Sequence, residues 1–190
     1  MKLLVDTSFS LLFSLLLAQP ALLTLAAPHN HRQLESLTNQ TRNLLKLTKD
    51  LLNDHVIDTE IEHRFTSLPA MTNKASQLSS LKLKETLQQL LLDFKSFELH
   101  FEWLKQASRR HRLQTLPNWT KLIPLIKTLS DNLQHHMSKV GVTQLPSPTP
   151  SLPPFPSIWD TGNASLEVLQ RFRLFCDWAS RALQTLKSRN

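Results

Sequence analysis

The chain has 190 residues, one cysteine and a formal net charge of +7 at pH 7. This length favours one domain, and a single cysteine excludes a framework of internal disulfides, so buried apolar side chains must hold the fold. The basic residues are spread along the chain, a pattern that suits acidic proteins, glycosaminoglycans or other anionic surfaces. It lacks the concentrated basic stripe with aromatic residues that is typical of nucleic-acid binding. With two glycines, no tyrosine and many leucines, the composition predicts an all-α protein.

Residues 1–26 have the pattern of a secretory signal peptide. A lysine precedes an apolar run at residues 9–17, and small side chains lie at a predicted cleavage site near Ala26. A membrane anchor is the competing interpretation, but Pro20 interrupts the run, and no apolar stretch of about 20 residues follows. We therefore predict secretion, a mature domain at residues 27–190 and no membrane insertion after signal removal. Secretion would make three sequons candidates for glycosylation, at Asn39, Asn118 and Asn163.

Apolar residues recur at alternating spacings of four and three in four segments, and each segment is predicted to be an α-helix with one apolar seam. The second helix is also apolar away from its seam, at Leu92, Leu99 and Trp103, so we expect a loop to cover this other side. Pro124 falls in the first turns of the third helix, where proline is tolerated. The four predicted helices span about residues 32–55, 78–108, 118–139 and 163–187.

The lengths of the connections predict how the helices run. The connection after the second helix is short, whereas those at about residues 56–76 and 141–162 are long. Six prolines lie between Pro146 and Pro156, so the second long connection should be extended and stiff, at about 3 Å per residue. Short connections join antiparallel neighbours, and long ones allow parallel neighbours. We therefore predict an all-α four-helix bundle with the up-up-down-down topology and two long crossover loops.

The sequence contains no recognisable catalytic or cofactor motif. Two glycines cannot form a glycine-rich phosphate loop, and no nucleophile has a known motif around it. His135 and His136 are adjacent on a predicted helix, so they point about 100° apart and cannot chelate one metal ion together. Cys176 falls on the seam of the fourth helix, which predicts a small buried hydrophobe; an intermolecular disulfide or a reactive thiol is the alternative. We therefore predict no metal, no cofactor and no enzymatic activity.

The fourth predicted helix carries unusual residues opposite its seam. Leu174, Asp177, Trp178 and Arg181 lie at i, i+3, i+4 and i+7 and form a contiguous outward stripe. A tryptophan beside an arginine on an outer face indicates a surface for a protein partner. In the alternative interpretation, a loop covers Trp178, and Arg181 forms only a helix-surface pair with Asp177. Two functions fit these patterns: a secreted cytokine that assembles receptors, or a secreted amphipathic helical protein that binds lipids or surfaces.

Several short motifs resemble the interleukin-11 group of the interleukin-6 family of four-helix cytokines. They cover the chain from about Ser67 to its end, and the lack of a disulfide is also similar to this group. The most specific motif is DWASRAL at residues 177–183, in the fourth helix. The other motifs are SLPAM at residues 67–71, FEWLK at 101–105, MS at 137–138, Trp159 after the proline-rich loop, and LKSR at 186–189.

The resemblance implies a cytokine that is monomeric before receptor assembly, signals through the JAK/STAT pathway and has three receptor-binding surfaces. Site I would bind a specific interleukin-11 receptor alpha-type chain and comprise Arg181, Asp177, Trp178, Leu174, Phe65 and Leu68. Site II would bind the signalling receptor glycoprotein 130 on the outer faces of the first and third helices, where position on the face alone suggests Arg42, Lys46, Asp131 and His135. Site III would bind a second copy of glycoprotein 130 through Trp159. The sequon at Asn163 lies four residues away, so it is either empty or directs its glycan away from this surface.

Overall fold

The computed structural model describes residues 30–53, 65–69, 75–111, 119–147, 149, 152 and 158–189. These residues form four α-helices and no strand, which confirms the predicted all-α four-helix fold. A 3-10 helix at Ala75–Ser80 precedes the second α-helix, and another at Trp119–Lys121 precedes the third. The predicted signal peptide lies outside the described residues. The α-helices are α1 at residues 30–53, α2 at Leu83–His111, α3 at Leu122–Lys139 and α4 at Ile158–Arg189.

The helix ends differ from the predicted ones by a few residues, and local chemistry explains two of the differences. The start predicted at residue 78 is occupied by the 3-10 helix, in which the Ser80 hydroxyl donates a hydrogen bond to the Gln77 carbonyl at 3.0 Å. Serine side chains favour such local bonds over α-helix geometry. Helix α4 begins at Ile158, five residues before the predicted start at residue 163. Gly162 therefore lies inside the helix. A glycine at this position makes the helix harder to predict from the sequence, but it does not prevent the helix from forming.

Helix α3 has a well-defined beginning and end. Pro124 is the third residue of the helix, so its missing N–H is one that would lack an intrahelical partner in any case. At the other end, Gly141 has φ of +68°, and Val142 N–H donates to the Met137 carbonyl at 2.9 Å. Gly141 N–H donates to the Ser138 carbonyl at 3.3 Å. This pair of bonds is a Schellman motif, which needs the left-handed conformation that glycine adopts most easily.

Aromatic pairs show that α2 and α4 run antiparallel. Phe94 lies against Phe175 with ring centroids 4.7 Å apart, and Phe101 lies against Phe172 at 5.3 Å. Because the residue number rises along α2 as it falls along α4, the two helices point in opposite directions. Such edge-to-face pairs stabilise a core beyond the area they bury.

Polar contacts fix the direction of α1 in the same way. Glu35 forms an ion pair with Lys187 at 4.0 Å, and Arg42 hydrogen-bonds to Gln184 further along, so α1 and α4 are antiparallel. Helices α1 and α2 are therefore parallel to each other. Helix α3 follows α2 after a short connection and returns along it, because Gln88 near the start of α2 donates to the Thr143 carbonyl just beyond α3 at 2.8 Å. These directions give the up-up-down-down topology.

The predicted seams form the core. The seam residues of α4, including Cys176, are fully buried, which confirms the prediction of a buried small hydrophobe at that position. In α1 the seam threonines Thr41 and Thr48 are buried and donate hydrogen bonds to carbonyls one turn back, so no hydroxyl is left unpaired. In α2, Trp103 is covered as predicted, but Leu99 is 39% exposed. The predicted cover over Leu92, Leu99 and Trp103 was therefore wrong for Leu99, which lies on the solvent side of the helix.

Candidate functional site

The outward stripe of α4 consists of Leu174, Asp177, Trp178 and Arg181, and we call it the α4 stripe. Leu174 is 48% exposed, the largest exposed fraction among the exposed large hydrophobic residues of the described chain. Arg181 Nη2 lies 2.6 Å from Asp177 Oδ2, and both side chains remain accessible to solvent. A pair at i and i+4 on a helix surface stabilises the helix by only a few tenths of a kcal/mol. An apolar side chain therefore lies beside an exposed, oriented ion pair.

Trp178 has two roles in this stripe. It is half-buried and packs against the hydrophobic core. Its indole Nε1 is buried and has no hydrogen-bond partner among the described residues. A buried donor without a partner loses its hydrogen bonds to water and forms none with the protein, which is unfavourable. The tryptophan therefore anchors the stripe to the bundle and presents only part of its ring to solvent.

Residues 65–69 of the first long connection lie against α4 and α2, and we call them the docked segment. Arg171 holds this segment by donating to the carbonyls of Phe65 at 2.6 Å, Leu68 at 3.1 Å and Pro69 at 3.1 Å. Glu167 accepts a hydrogen bond from Phe65 N–H at 3.2 Å and pairs with Arg171 at 3.4 Å. The backbone of the docked segment is therefore bound by one arginine and one carboxylate of α4.

The side of α2 that faces the docked segment contains a buried histidine. His100 Nε2 lies 2.9 Å from Ser67 Oγ, and His100 Nδ1 lies 2.7 Å from the Ser96 carbonyl. Burial lowers the pKa of His100, and the positive charge of Arg171 lowers it further, although the hydrogen bond to Ser96 opposes both. Phe65 makes edge-to-face contacts with His100 and Trp103, with centroids 5.4 and 5.5 Å away. The docked segment thus covers α2 around His100 and Trp103.

The structure gives Phe65 and Leu68 a different setting from the one proposed for them in site I. Both side chains are buried, at 6% and 3% exposure, and they face α2 and the first half of α4. Their anchor, Arg171, lies ten residues before Arg181, or about 15 Å along the helix axis. The side chains of both residues therefore belong to the hydrophobic core, and their place in site I stays a prediction.

Sequence reasoning did not select Glu167, Arg171 or His100, although two signals were present. Glu167 and Arg171 lie at i and i+4 on α4, the same spacing that drew attention to Asp177 and Arg181. His100 lies three residues before Trp103, on the off-seam side of α2 that was expected to be covered. The sequence did not indicate which loop residues would contact these side chains.

The residues suggested for site II are all exposed, but they lie on two different edges of α1 and α3. Arg42 contacts Gln184 and so faces α4, and Lys46 follows it by one turn. Asp131 and His135 share the outer face of α3. Their carboxylate and imidazole are therefore not in contact with the basic residues of α1.

The contact between α1 and α3 brings together two leucines that sequence reasoning did not select. Asn132 Nδ2 donates to Gln40 Oε1 at 2.9 Å, which fixes how the two antiparallel helices align. Leu47 lies seven residues after Gln40, and Leu125 lies seven residues before Asn132, so both lie on the same edge about two turns away. They are 36% and 42% exposed. An apolar pair therefore lies at the surface between α1 and α3.

The residues suggested for site III and for glycosylation fall partly outside the described residues. Trp159 is the second residue of α4, and its side chain is outside the described set. Asn163 is exposed one turn later, and Asn39 is exposed on α1. Asn118 lies outside the described residues. A glycan on Asn163 would therefore start within one helical turn of position 159.

Comparison with known proteins decides the family. A family model described as Interleukin 11 matches residues 26–190. Interleukin-11 of Macaca fascicularis is 32% identical over 176 residues, which cover 86% of this chain and 84% of that protein. Interleukin-11 of Mus musculus is 31% identical over 175 residues, which cover 82% and 80%.

The chain belongs to the interleukin-11 family. This result confirms the resemblance predicted from the motifs and makes the chain a cytokine and not an enzyme. The alternative of a lipid-binding amphipathic protein is therefore set aside.

Two further observations accompany the interleukin-11 assignment. Within the described ranges, no three His, Cys, Asp or Glu side chains group together in a way that could hold a metal ion. None of the described helices combines the length and the apolar character that crossing a membrane requires. Interleukin-11 homologues are secreted cytokines.

Proposed function

We propose that this chain is a secreted cytokine that binds a specific interleukin-11 receptor alpha-type chain and then brings together copies of glycoprotein 130, which triggers intracellular JAK/STAT signalling. Secretion would follow removal of residues 1–26. The proposal rests on membership of the interleukin-11 family, whose members bind cytokine receptors. The observation on this chain that carries it is the exposed Leu174 beside the Asp177–Arg181 ion pair.

Site I is the α4 stripe, with Arg181 at its centre. Side chains that dominate a protein interface are usually aromatic residues and arginines surrounded by apolar contacts. Leu174 supplies apolar area, Arg181 supplies charge, and Asp177 orients the guanidinium. Trp178 supports the stripe from beneath because it packs on the core. The docked segment contributes only indirectly, by covering the adjoining core.

Site II is the outer surface shared by α1 and α3. Asp131 and His135 are its candidates on α3, and Arg42 and Lys46 are its candidates on α1; all four are exposed. Leu47 and Leu125 support this location because they place exposed apolar area between the two helices. An apolar centre with a charged margin is the usual composition of a protein interface.

Site III is the start of α4, where Trp159 is the proposed contact with the second glycoprotein 130. The position fits an accessible surface because Asn163, one turn later, is exposed. A glycan on Asn163 must leave position 159 accessible for this site to function. An unoccupied sequon meets that condition as well.

Site I is tested by Arg181→Ala, with Arg173→Ala as the matched control. Arg173 is an exposed arginine on the same helix and forms no ion pair with a described residue. We expect Arg181→Ala to weaken binding to the soluble alpha receptor about thirty-fold, since truncating a dominant interface residue costs about 2 kcal/mol or more. Surface plasmon resonance measures the affinities, and circular dichroism checks that helicity is unchanged. Wild-type affinity in the Arg181→Ala variant would remove Arg181 from the site.

A further inference from the structure

The edge where α1 meets α4 carries four basic side chains that the cytokine function does not require as a group. They are Arg42, Lys46, Lys49 and Arg173, and we call them the basic strip. We propose that the basic strip binds a sulfated polysaccharide of the extracellular matrix. Such a site would hold the cytokine at cell surfaces, and it would share Arg42 and Lys46 with the proposed site II.

The register of the two helices places these residues along one edge. Arg42 contacts Gln184 across the helix pair, which defines the edge. Lys49 lies seven residues after Arg42 on α1, and Arg173 lies eleven residues before Gln184 on α4. Both spacings are close to whole numbers of helical turns, so each residue lies on the side of its helix that carries the Arg42–Gln184 contact. Because the helices are antiparallel, both lie in the same direction from it, about 10 and 16 Å away along the axis. Lys46 fills the space between Arg42 and Lys49.

The charges of the strip are available to a ligand. All four side chains are exposed, and none forms an ion pair with a described residue. Two other carboxylates near this edge are already paired, because Glu35 contacts Lys187 and Asp177 contacts Arg181. Asp50, beside Lys49, is exposed and forms no ion pair with a described residue. The strip therefore has a positive potential that is only partly offset.

The arrangement fits a linear polyanion better than a small anion. A single sulfate or phosphate needs several donors that converge on one point, whereas these donors follow one another along two helices. Arginine and lysine both bind sulfate and phosphate oxygens, arginine through a planar fork and lysine as a point charge. Secretion, which is part of the proposed function, would bring the strip to the sulfated polysaccharides outside the cell. A row of separated cations can follow the repeated sulfates of such a chain.

The test compares two variants that lose the same number of positive charges. The strip variant replaces Arg42, Lys46, Lys49 and Arg173 by Gln. The control variant replaces four exposed basic residues elsewhere by Gln, at Lys84, Arg109, Lys121 and Lys139. Both keep Arg181, and both are checked for unchanged helicity. Their affinities for a heparin oligosaccharide and for the same oligosaccharide after desulfation are measured at about 0.15 M salt.

We expect the strip variant to lose roughly tenfold or more in heparin affinity, because several charge contacts act together and each releases counterions. The control variant should stay within about threefold of wild type, and desulfated heparin should not bind. Asp50→Asn should strengthen heparin binding, because it removes the carboxylate beside Lys49. Equal losses in the two charge variants would show that binding follows net charge alone and would overturn the proposal. Wild-type affinity in the strip variant would overturn it as well.

Discussion

At the scale of single residues, Asp93 is a carboxylate in an unfavourable environment. It lies on α2, seven residues before His100, and is only 9% exposed. Burial raises the pKa of Asp93 from 3.8 to about 6, although a hydrogen bond from Gln89 Nε2 at 2.8 Å opposes the change. Near neutral pH the folded state must therefore hold a poorly solvated negative charge that the unfolded chain leaves in water.

Replacing Asp93 by Asn should stabilise the protein at pH 7. Because the folded pKa is raised, the destabilising effect of the carboxylate is fully present above pH 6 and disappears as the pH falls from 6 towards 3.8. A difference of about two pKa units corresponds to roughly 2–3 kcal/mol. We therefore expect Asp93→Asn to raise the free energy of unfolding by about that amount at pH 7, measured by urea denaturation.

The same variant should give almost no gain at about pH 4, where the wild-type carboxyl is already protonated in the folded state. Asp50→Asn provides the control, because Asp50 is an exposed carboxylate on α1 and its replacement should change stability by less than about 0.5 kcal/mol. A gain for Asp93→Asn that is equal at both pH values would show that the charge of Asp93 is not responsible.

At the scale of structural elements, the docked segment depends on Arg171. The Glu167 side chain is 2% exposed and that of Arg171 is 16% exposed, so their ion pair is largely withdrawn from water. Breaking a buried pair by removing one partner is more harmful than removing both, because a single removal leaves an uncompensated charge. Arg171 also satisfies three carbonyl groups of the segment.

Arg171→Met should therefore lower the free energy of unfolding by roughly 3–5 kcal/mol. The double variant Arg171→Met with Glu167→Gln should recover about 1 kcal/mol or more, because the amide is neutral and still accepts the hydrogen bond from Phe65 N–H. Chemical denaturation measures both, and Arg173→Met, a change at an exposed position on the same helix, should have little effect. A double variant that is less stable than Arg171→Met would contradict this account of the pair.

The helices themselves were largely predictable, and their ends were not. Seams such as the one that contains Phe94, Phe97 and Phe101 repeat over many turns, so one misplaced residue does not hide the pattern. The ends depend on single bonds, such as the one within the 3-10 helix before α2, and periodicity carries no information about them. The cover over Trp103 was expected, but the docked segment that provides it could not be identified, because its contacts join residues about 100 positions apart.

At the scale of the whole molecule, the lengths of the connections were sufficient to predict the topology. A short connection between α2 and α3 and a long one before α4 leave few ways to arrange four helices. The candidate site was predictable to the extent that it lies on one helix. Leu174, Asp177 and Arg181 share one face through helical spacing alone, and they form the exposed stripe. The burial of Phe65 and Leu68 could not be predicted, because the position of a loop on a bundle is a tertiary property.

The bundle separates its proposed receptor sites in space. The α4 stripe lies towards the end of α4, whereas position 159 lies at its beginning, about 30 Å away along the helix axis. The surface between α1 and α3 is a further face of the molecule. A rigid bundle with separate faces can bind several receptor chains at once, and losing one face should leave the others able to bind.

The central claim is most directly tested by measuring the mass of complexes formed with soluble alpha receptor and glycoprotein 130 ectodomains, using size-exclusion chromatography with light scattering. We expect the wild-type cytokine to assemble both receptors into a large complex. Trp159→Ala should still bind the alpha receptor with wild-type affinity but should form only a smaller complex that lacks the second glycoprotein 130, and cells treated with it should not signal. A Trp159→Ala variant that forms the full-size complex and signals as strongly as wild type would contradict the account.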